Sequence, residues 1–177
     1  MRFALKIDHE RCWGCKACEV ACKQEKGFDP GVSLIRVKEE GPFETKGSLT
    51  FTFRPVLCRH CDNPPCADVC PVGAIAGRED GIVLLDHERC TGCAQCVAAC
   101  PYNAISMDPR NGVAQKCDMC HARVENGLVP ACADNVCLAH CIYFGDANRI
   151  NEMMQEKAWL KYRMQGNLGD MVITVEE

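Results

Sequence analysis

Short apolar runs separated by polar and cysteine-rich segments divide the chain into small elements. Phe3–Ile7 and Ile82–Leu85 are apolar runs of strand length, and each leads directly into a group of cysteines. Residues 32–37 and 49–53 alternate between apolar and polar side chains. This alternation predicts a hairpin around Gly41-Pro42.

The pattern changes after Gly145. Residues 148–164 lack Gly and Pro and are rich in Glu, Lys, Met and Ala, which predicts a helix. A terminal strand is predicted at 171–175. We expect this carboxyl-terminal extension, residues 148–177, either to pack against the body or to dock a partner.

An internal repeat organises the cysteine-rich segments. Residues 8–22 read DHERCWGCKACEVAC and residues 86–100 read DHERCTGCAQCVAAC, identical at ten of fifteen positions without a gap. A second echo links residues 70–75, CPVGAI, to residues 100–105, CPYNAI, and each leads through a polar turn into another strand. The order of strand, cysteine loop, short helix and hairpin is therefore written twice, which predicts a duplicated unit.

Cysteine is the most informative part of the composition. The chain has 177 residues, of which 17 are Cys, a density typical of a disulfide scaffold or a metal protein. Neither a secretory signal nor a twin-arginine pair is visible at the start, and no stretch approaches about 18 uncharged apolar residues. We therefore expect a cytoplasmic protein without a membrane span, in which thiols stay reduced and bind metal.

Charge and aromatic content narrow the function further. The formal net charge of −4 gives no support for nucleic-acid binding. Aromatic residues are only 6% of the chain, so the hydrophobic core is thin and a bound cofactor would complete it. We expect the metal-free protein to be poorly folded for that reason. Of the two tryptophans, Trp13 and Trp159, we expect burial in the core rather than contact with a partner.

Four groups of cysteines follow one another along the chain. The first and third have the spacing CxxCxxCxxxC, the second is looser, and the fourth begins with CxxC and then spreads out. Three thiolates two residues apart can wrap three corners of one [4Fe–4S] cubane, while a fourth, three residues on, points to a second cluster. The groups are Cys12, Cys15, Cys18 and Cys22; Cys58, Cys61, Cys66 and Cys70; Cys90, Cys93, Cys96 and Cys100; and Cys117, Cys120, Cys132, Cys137 and Cys141.

Zinc is the main alternative metal. CxxC pairs also build structural zinc sites, so a zinc-stabilised interaction module is a remote alternative function. Zinc sites typically use two separated knuckles, whereas here four thiolates crowd within eleven residues of the first group. The spacing therefore favours iron–sulfur clusters.

The sequence around these groups resembles that of the four-cluster ferredoxin family. The likeness covers roughly residues 3–146, including CKQE at 22–25, CRHCDNPPC at 58–66 and KCDMC at 116–120. Members of that family are electron-transfer subunits of molybdenum- and tungsten-pterin enzymes, such as DMSO reductase, formate dehydrogenase and relatives of tungsten aldehyde oxidoreductase. The resemblance implies four [4Fe–4S] clusters.

The resemblance also implies how the cysteines share the clusters. The family's last group usually ends with Cys-x3-Cys-Pro, but residues 132–138 are one residue longer and lack the proline. Measured back from the sequence FGD at 144–146, Cys137 takes the ligand position, and Cys141 falls where the two repeats have Ala. Cys141 remains the alternative ligand. The implied sets are Cys12, Cys15 and Cys18 with Cys137; Cys117, Cys120 and Cys132 with Cys22; Cys58, Cys61 and Cys66 with Cys100; and Cys90, Cys93 and Cys96 with Cys70.

The predicted fold class is α+β, with two duplicated ferredoxin-like lobes related by a pseudo-two-fold axis. Residues 1–147 would form the four-cluster domain. Lobe one would contain residues 1–27 with 112–147, lobe two would contain residues 54–111, and residues 28–53 would form an inserted β-hairpin.

The predicted ligand sets define a function. Every coordination position is filled by a protein thiolate, so we expect no catalysis by this chain itself. We interpret it as a subunit that relays single electrons to or from a catalytic Mo- or W-pterin subunit in a hetero-oligomer. An aldehyde-oxidoreductase-type complex fits a cytoplasmic location, and a further flavin or ferredoxin-type electron partner is compatible with it. The alternative is a free-standing polyferredoxin that serves hydrogenase or formate–hydrogen-lyase systems.

Four other side chains lie close to the cysteines in sequence. His60 and His121 could donate hydrogen bonds that tune a cluster, and Lys23 and Arg123 could offset its charge. An ordinary surface or packing role is the alternative for each of them.

Overall fold

The computed structural model describes residues 1–28, 30–133 and 136–156. Short strands and helices alternate, so the mixed α+β prediction is confirmed. The strands are β1 (Phe3–Ile7), β2 (Ile35–Thr45), β3 (Ser48–Leu57), β4 (Ile75–Gly77), β5 (Val83–Leu85), β6 (Ile105–Met107), β7 (Ala114–Lys116) and β8 (Ile142–Asp146). The α-helices with both ends described are α1 (Ala17–Lys26), α2 (Pro65–Asp68), α3 (Gln95–Ala99) and α4 (His121–Glu125).

The described strands form four two-stranded antiparallel sheets. Three of these are hairpins of consecutive strands: β2–β3, β4–β5 and β6–β7. The fourth sheet pairs β1 with β8, in a register that runs from Phe3 opposite Asp146 to Ile7 opposite Ile142. The rings of Phe3 and Phe144 stack on this sheet with their centres 5.4 Å apart. The beginning of the chain is therefore held against the segment that follows the fourth cysteine group.

The β2–β3 hairpin is longer than predicted and turns elsewhere. Its turn lies at Lys46 and Gly47, which both have positive φ, rather than at Gly41-Pro42. Two consecutive residues of positive φ favour the tight turn that matches the twist of paired strands. Pro42 lacks an N–H for the ladder, and the pairing register shifts between Glu40 and Phe43, so Gly41-Pro42 forms a bulge.

Cysteine side chains make up a large part of two buried clusters. The larger cluster contains five cysteines, together with aliphatic side chains from β2, β3, β8 and the loop before β2. The smaller contains Cys66 and Cys96 among side chains from β4 to β7. The cysteines of the larger cluster are Cys18, Cys22, Cys132, Cys137 and Cys141.

The described part of the carboxyl-terminal extension is helical at residues 150–156, which agrees with the start of the predicted helix. The rest of that helix, Trp159 and the predicted strand at 171–175 lie outside the described residues. No helix in the described ranges is both long enough and apolar enough to cross a membrane.

The prediction of a buried Trp13 is wrong, because its side chain is 62% exposed. The ring of Phe53 packs directly against the backbone of Gly14, the next residue. The space beneath this loop is therefore filled from β3, and Trp13 faces outward.

Candidate iron–sulfur sites

The four cysteine groups begin with the same backbone turn. In each initial CxxC, the second intervening residue lies in the left-handed region, at φ values of 71° for Gly14, 46° for His60, 72° for Gly92 and 56° for Met119. Only two of these residues are glycines, so the common turn does not depend on a common residue type. The turn curls each loop so that successive thiols can face a common centre.

A second shared geometry follows Cys70, Cys100 and Cys137. The amide of the residue four positions later donates to the thiol: Ala74 to Cys70 Sγ at 3.2 Å, and Ala104 to Cys100 Sγ at 3.4 Å. The amide of Cys141 donates to the Sγ of Cys137 in the same way at 3.3 Å. Cys137 therefore occupies the backbone position of Cys70 and Cys100, and Cys141 stands where the repeats have alanine.

Thiols from different groups meet in three clefts. In each cleft, one cysteine from the end of a group joins the first three cysteines of another group. The sets are Cys70 with Cys90, Cys93 and Cys96; Cys22 with Cys117, Cys120 and Cys132; and Cys100 with Cys58, Cys61 and Cys66.

The remaining thiols also lie together. Burial, and then the negative charges of Cys137, Glu19, Cys15 and Cys12, raise the pKa of Cys18 to about 12. Cys141 belongs to the same neighbourhood, since its Sγ lies 3.5 Å from that of Cys137 and its thiol also interacts with Cys12. This fourth region thus holds five thiols.

The donor chemistry fits iron–sulfur clusters. Burial raises the pKa of Cys22 and of Cys66 to about 11, so these thiolates are disfavoured unless a cation compensates for their charge. The iron ions of a cluster bound by these thiolates would supply that compensation. Among residues 1–28, 30–133 and 136–156, no three His, Cys, Asp or Glu side chains converge closely enough to hold a single metal ion. Three sets of four cysteines instead border clefts.

Electrostatic effects between thiols show which sets are neighbours. After desolvation, the nearby thiolate of Cys58 is the largest cause that raises the pKa of Cys117. Burial is the main cause that raises the pKa of Cys132, and the charges of Cys22, Cys120 and then Cys18 raise it further. The second and fourth groups therefore approach each other, as do the fourth and the first.

Asp118 ties the fourth group to helix α1. Its carboxylate accepts from Lys26 Nζ at 2.7 Å and from the amide of Cys120 at 3.0 Å. Burial opposes ionisation, but the hydrogen bond and the charge of Lys26 lower the pKa of Asp118 overall. Because Lys26 lies on the helix that carries Cys22, this pair holds together the two walls of one cysteine cleft. Sequence reasoning missed Asp118, although it stands within the quoted KCDMC.

His60 and Lys116 are buried next to the cysteines. Each side chain is 5% exposed. His60 Nδ1 accepts from the amide of Val83 at 3.0 Å, and Lys116 Nζ donates to the carbonyls of Val83 and Cys117. Burial and then the charge of Lys116 lower the pKa of His60 to about 3, so its ring is neutral. Sequence reasoning singled out His60 but missed Lys116.

Two of the other side chains considered from the sequence have protein partners. His121 Nδ1 lies 2.9 Å from Asp118 Oδ2, and Arg123 pairs with Glu25 at 3.0 Å. A tuning role for these two side chains, and for Lys23, stays a prediction.

A cavity of about 550 Å³ borders Cys58 and is lined by cations. One of these, Arg59, places its guanidinium carbon 4.5 Å from the centre of the Tyr102 ring. Positive charge is therefore concentrated beside the second group on a chain whose net charge is −4. The lining cations are Lys6, Lys38, Arg54 and Arg59.

Comparison with known proteins identifies the domain type and several relatives. Two models of a 4Fe-4S dicluster domain match, at residues 11–74 and 49–147. A subunit of the tetrathionate reductase of Salmonella typhimurium is 45% identical over 150 residues, which cover 82% of this chain and 58% of that protein. This chain therefore spans less than two thirds of that relative's length.

Two further relatives are covered more fully. The thiosulfate reductase electron transfer subunit of Salmonella typhi is 40% identical over 168 residues, covering 93% of this chain and 86% of that protein. One of the chains of the polysulfide reductase of Wolinella succinogenes is 36% identical over 166 residues, covering 90% and 86%.

The family resemblance and the cofactor prediction are both confirmed. Two dicluster matches and 17 cysteines correspond to four [4Fe–4S] clusters, each needing four thiolates. This protein belongs to the 4Fe-4S dicluster ferredoxin family, as its domain matches and its similarity to subunits of these reductases show.

Proposed function

We propose that this chain is a non-catalytic subunit that passes single electrons through four [4Fe–4S] clusters to or from a catalytic oxidoreductase subunit. The observation that carries the proposal is the grouping of four thiols around each of three clefts. Four protein ligands complete the coordination of a cluster and leave no iron open to substrate. Each cluster would then only exchange electrons.

The proposed ligand sets are those implied by the sequence resemblance. Cys137 is the proposed fourth ligand of the first group, because its backbone hydrogen bond matches those of Cys70 and Cys100. Cys141 is then the spare thiol. The sets are Cys12, Cys15, Cys18 and Cys137; Cys22, Cys117, Cys120 and Cys132; Cys58, Cys61, Cys66 and Cys100; and Cys70, Cys90, Cys93 and Cys96.

We also propose the two-lobe organisation for the four-cluster domain. The β1–β8 pairing supports a lobe built from residues 1–27 and 112–147, because it joins those two segments. The β4–β5 hairpin supports a contiguous lobe over residues 54–111, with residues 28–53 inserted between the lobes. The observed hairpins extend past these proposed bounds, because β3 continues to Leu57 and because β6 pairs with β7 (Ala114–Lys116), beyond residue 111. A pseudo-two-fold relation between the lobes is consistent with the repeated loop geometry.

The proximity of the sets suggests a linear path for electrons. The order would run from the third group through the second and the fourth to the first. Cys93 and Cys15 are exposed, and they belong to the two sets at the ends of this order. The exposed side chain of Trp13 lies beside Cys12, so we propose the first-group end as a contact face for a partner.

The proposed partner is a molybdenum- or tungsten-pterin catalytic subunit in a hetero-oligomer. The relatives named above belong by name to tetrathionate, thiosulfate and polysulfide reductases, which favours a reductase of sulfur compounds. None of these three is an aldehyde oxidoreductase subunit, so that more specific expectation lacks their support. A flavin or ferredoxin-type protein at the opposite end of the path is compatible with the proposal. A cytoplasmic location stays a prediction, to be checked by cell fractionation.

Elemental analysis of natively purified, oxygen-free protein tests the proposal. We expect about sixteen Fe per chain, together with a co-purifying subunit that contains Mo or W. The same iron content in a monomer without Mo or W would favour the free-standing polyferredoxin. Zinc in place of iron would overturn the proposal in favour of the zinc-stabilised module.

A further inference from the structure

One buried side-chain nitrogen beside a cysteine cleft has no acceptor. His60 is 5% exposed, and its Nε2 has no hydrogen-bond partner among the described residues. A buried polar group left unsatisfied costs about 1–3 kcal/mol. An acceptor that is not part of the protein chain would remove that cost.

The other ring nitrogen fixes which hydrogen-bonding role Nε2 plays. The amide of Val83 donates to His60 Nδ1 at 3.0 Å, so Nδ1 is the acceptor and carries no hydrogen. In a neutral imidazole the hydrogen must then be on Nε2. The unpaired atom is therefore an N–H donor of fixed orientation.

The position of His60 identifies the acceptor. His60 lines the same cleft as the thiols of the second group and Cys100. It has φ of 46° at the loop position where the repeats have Gly14 and Gly92. The left-handed backbone by itself favours Gly, so the side chain contributes something that a glycine would not. Sulfur atoms of a cluster held in this cleft would supply the acceptor that Nε2 lacks.

Lys116 is anchored on Val83, the strand residue whose amide donates to His60. Its Nζ donates to the Val83 carbonyl and, at 2.7 Å, to the carbonyl of Cys117. Burial raises the pKa of Cys58, Cys66 and Cys117, and the ammonium charge of Lys116 opposes this rise at all three thiols. This buried cation therefore lies between the second and the fourth group.

We propose that His60 donates its Nε2–H to a sulfur of the cluster held by Cys58, Cys61, Cys66 and Cys100, and that with Lys116 it raises the reduction potential of that cluster. This inference rests on the proposed function and its ligand set. One-electron reduction adds one negative charge, which a hydrogen bond to sulfur and a nearby cation both stabilise. The proton stays on His60 throughout, and the electron comes from the neighbouring redox centre.

Redox titration of the purified holo-protein, followed by EPR, tests the proposal. We expect His60→Leu to lower one of four potentials by at least a tenfold change in the reduction equilibrium, about 59 mV for one electron. The matched variant His60→Gln keeps an N–H donor and should shift that potential less. Lys116→Met should lower the same potential and that of the cluster at Cys117.

A label that needs no substitution keeps the proposal testable if His60→Leu fails to assemble. Pulsed EPR of reduced wild-type protein with ¹⁵N-histidine should show a nitrogen coupled to a cluster, and His60→Gln should abolish this histidine signal. The absence of any histidine coupling would overturn the inference. Unchanged potentials in His60→Leu at about sixteen Fe per chain would also overturn it, while the proposed electron-transfer function would stand.

Discussion

Helices α1 and α3 follow nearly identical cysteine loops, yet α1 has ten residues and α3 has five. Helix α3 ends before Cys100, which Pro101 follows. A proline lacks the N–H for the next helical hydrogen bond and disfavours helical backbone in the residue before it. The equivalent Cys22 is followed by Lys23, so α1 continues for another turn.

The additional turn of α1 carries side chains that hold distant parts of the chain together. Glu25 pairs with Arg123, and Lys26 pairs with Asp118. The terminal unit, formed by the first and fourth cysteine groups, needs such contacts because most of the sequence separates those two groups. In the central unit, formed by the second and third groups, β4 and β5 connect Cys70 to the Cys90 loop directly.

The strand pairs before these loops make the same backbone contact. The amide of Asp86 donates to the carbonyl of Ala74 at 2.8 Å, and the amide of Asp8 donates to that of Cys141 at 2.8 Å. The central unit makes this contact within one hairpin, whereas the terminal unit makes it between β1 and β8. The same backbone contact beside a cysteine loop can therefore be made either by strands that are close in sequence or by strands that are far apart in it.

Cysteine substitutions in the terminal unit should give the largest effect. We expect Cys137→Ser to lose one cluster, from about sixteen to about twelve Fe per chain. Cys141→Ala reproduces the alanine of the central unit, so it should retain about sixteen. Iron analysis and EPR of both purified variants make the measurement. The reverse result would show that Cys141 is the ligand and that the shared amide-to-thiol hydrogen bond does not identify the ligand.

Glycine-to-alanine substitutions in the loops of the first and third cysteine groups should have the next largest effects, and the two effects should differ in size. A Cβ on Gly92 would lie 2.3 Å from the carbonyl oxygen of Gly112, which is backbone and cannot move aside easily. The atoms nearest to a Cβ on Gly14 would be those of the Phe53 side-chain ring, which can shift. Both have positive φ, which costs about 1–2 kcal/mol for alanine.

We therefore expect Gly92→Ala to lose iron from the third group, and Gly14→Ala to lose less. Iron content and the thermal unfolding midpoint of the two variants check this order. Equal losses would mean that backbone strain alone, rather than the collision, controls both loops.

The sequence predicts the repeated parts of this molecule well, because they are local. Strand β1 has its predicted bounds, and β5 lies within the predicted run Ile82–Leu85. The shorter α3 also has a local cause, Pro101. The pairing of β1 with β8 depends on contacts between residues more than 130 positions apart, as in the pairing of Phe3 with Asp146, which no local pattern specifies.

The predicted sites show the same division. The cysteine spacing predicts clusters, and the structure brings twelve of the cysteines together around three clefts, a grouping that spacing alone does not identify. Sequence reasoning missed Lys116 and Asp118 because ordinary polar residues become informative only when their burial and partners are known. It misplaced the turn at Gly41-Pro42 because a Gly-Pro pair suits both a turn and a bulge.

The Lys26–Asp118 ion pair of the additional α1 turn should make a moderate contribution to stability. Asp118→Asn keeps an oxygen for the Cys120 amide but removes the charge that pairs with Lys26. Since both side chains are about one-fifth exposed, we expect a loss of about 1–3 kcal/mol. Denaturant unfolding of the holo-protein measures it, with Asp86→Asn as a matched control whose carboxylate accepts from backbone amides. A loss no greater than that of the control would contradict a role for the ion pair.

The more exposed Glu25–Arg123 ion pair of the same turn should make the smallest contribution to stability. Glu25→Gln removes the negative charge that pairs with Arg123, but Arg123 also donates to the carbonyl of Val129 at 3.0 Å and should stay in place. Both side chains are about one-third exposed, so solvent weakens the pair and we expect a loss of about 0.2–1 kcal/mol. Added salt should shrink this loss further by screening. Unfolding at low and high salt measures both quantities. A loss of stability as large as that of Asp118→Asn would contradict independent contributions from the two ion pairs. It would mean that breaking the Glu25–Arg123 pair also weakens the Lys26–Asp118 pair, since a partly exposed pair cannot account for so large a loss alone.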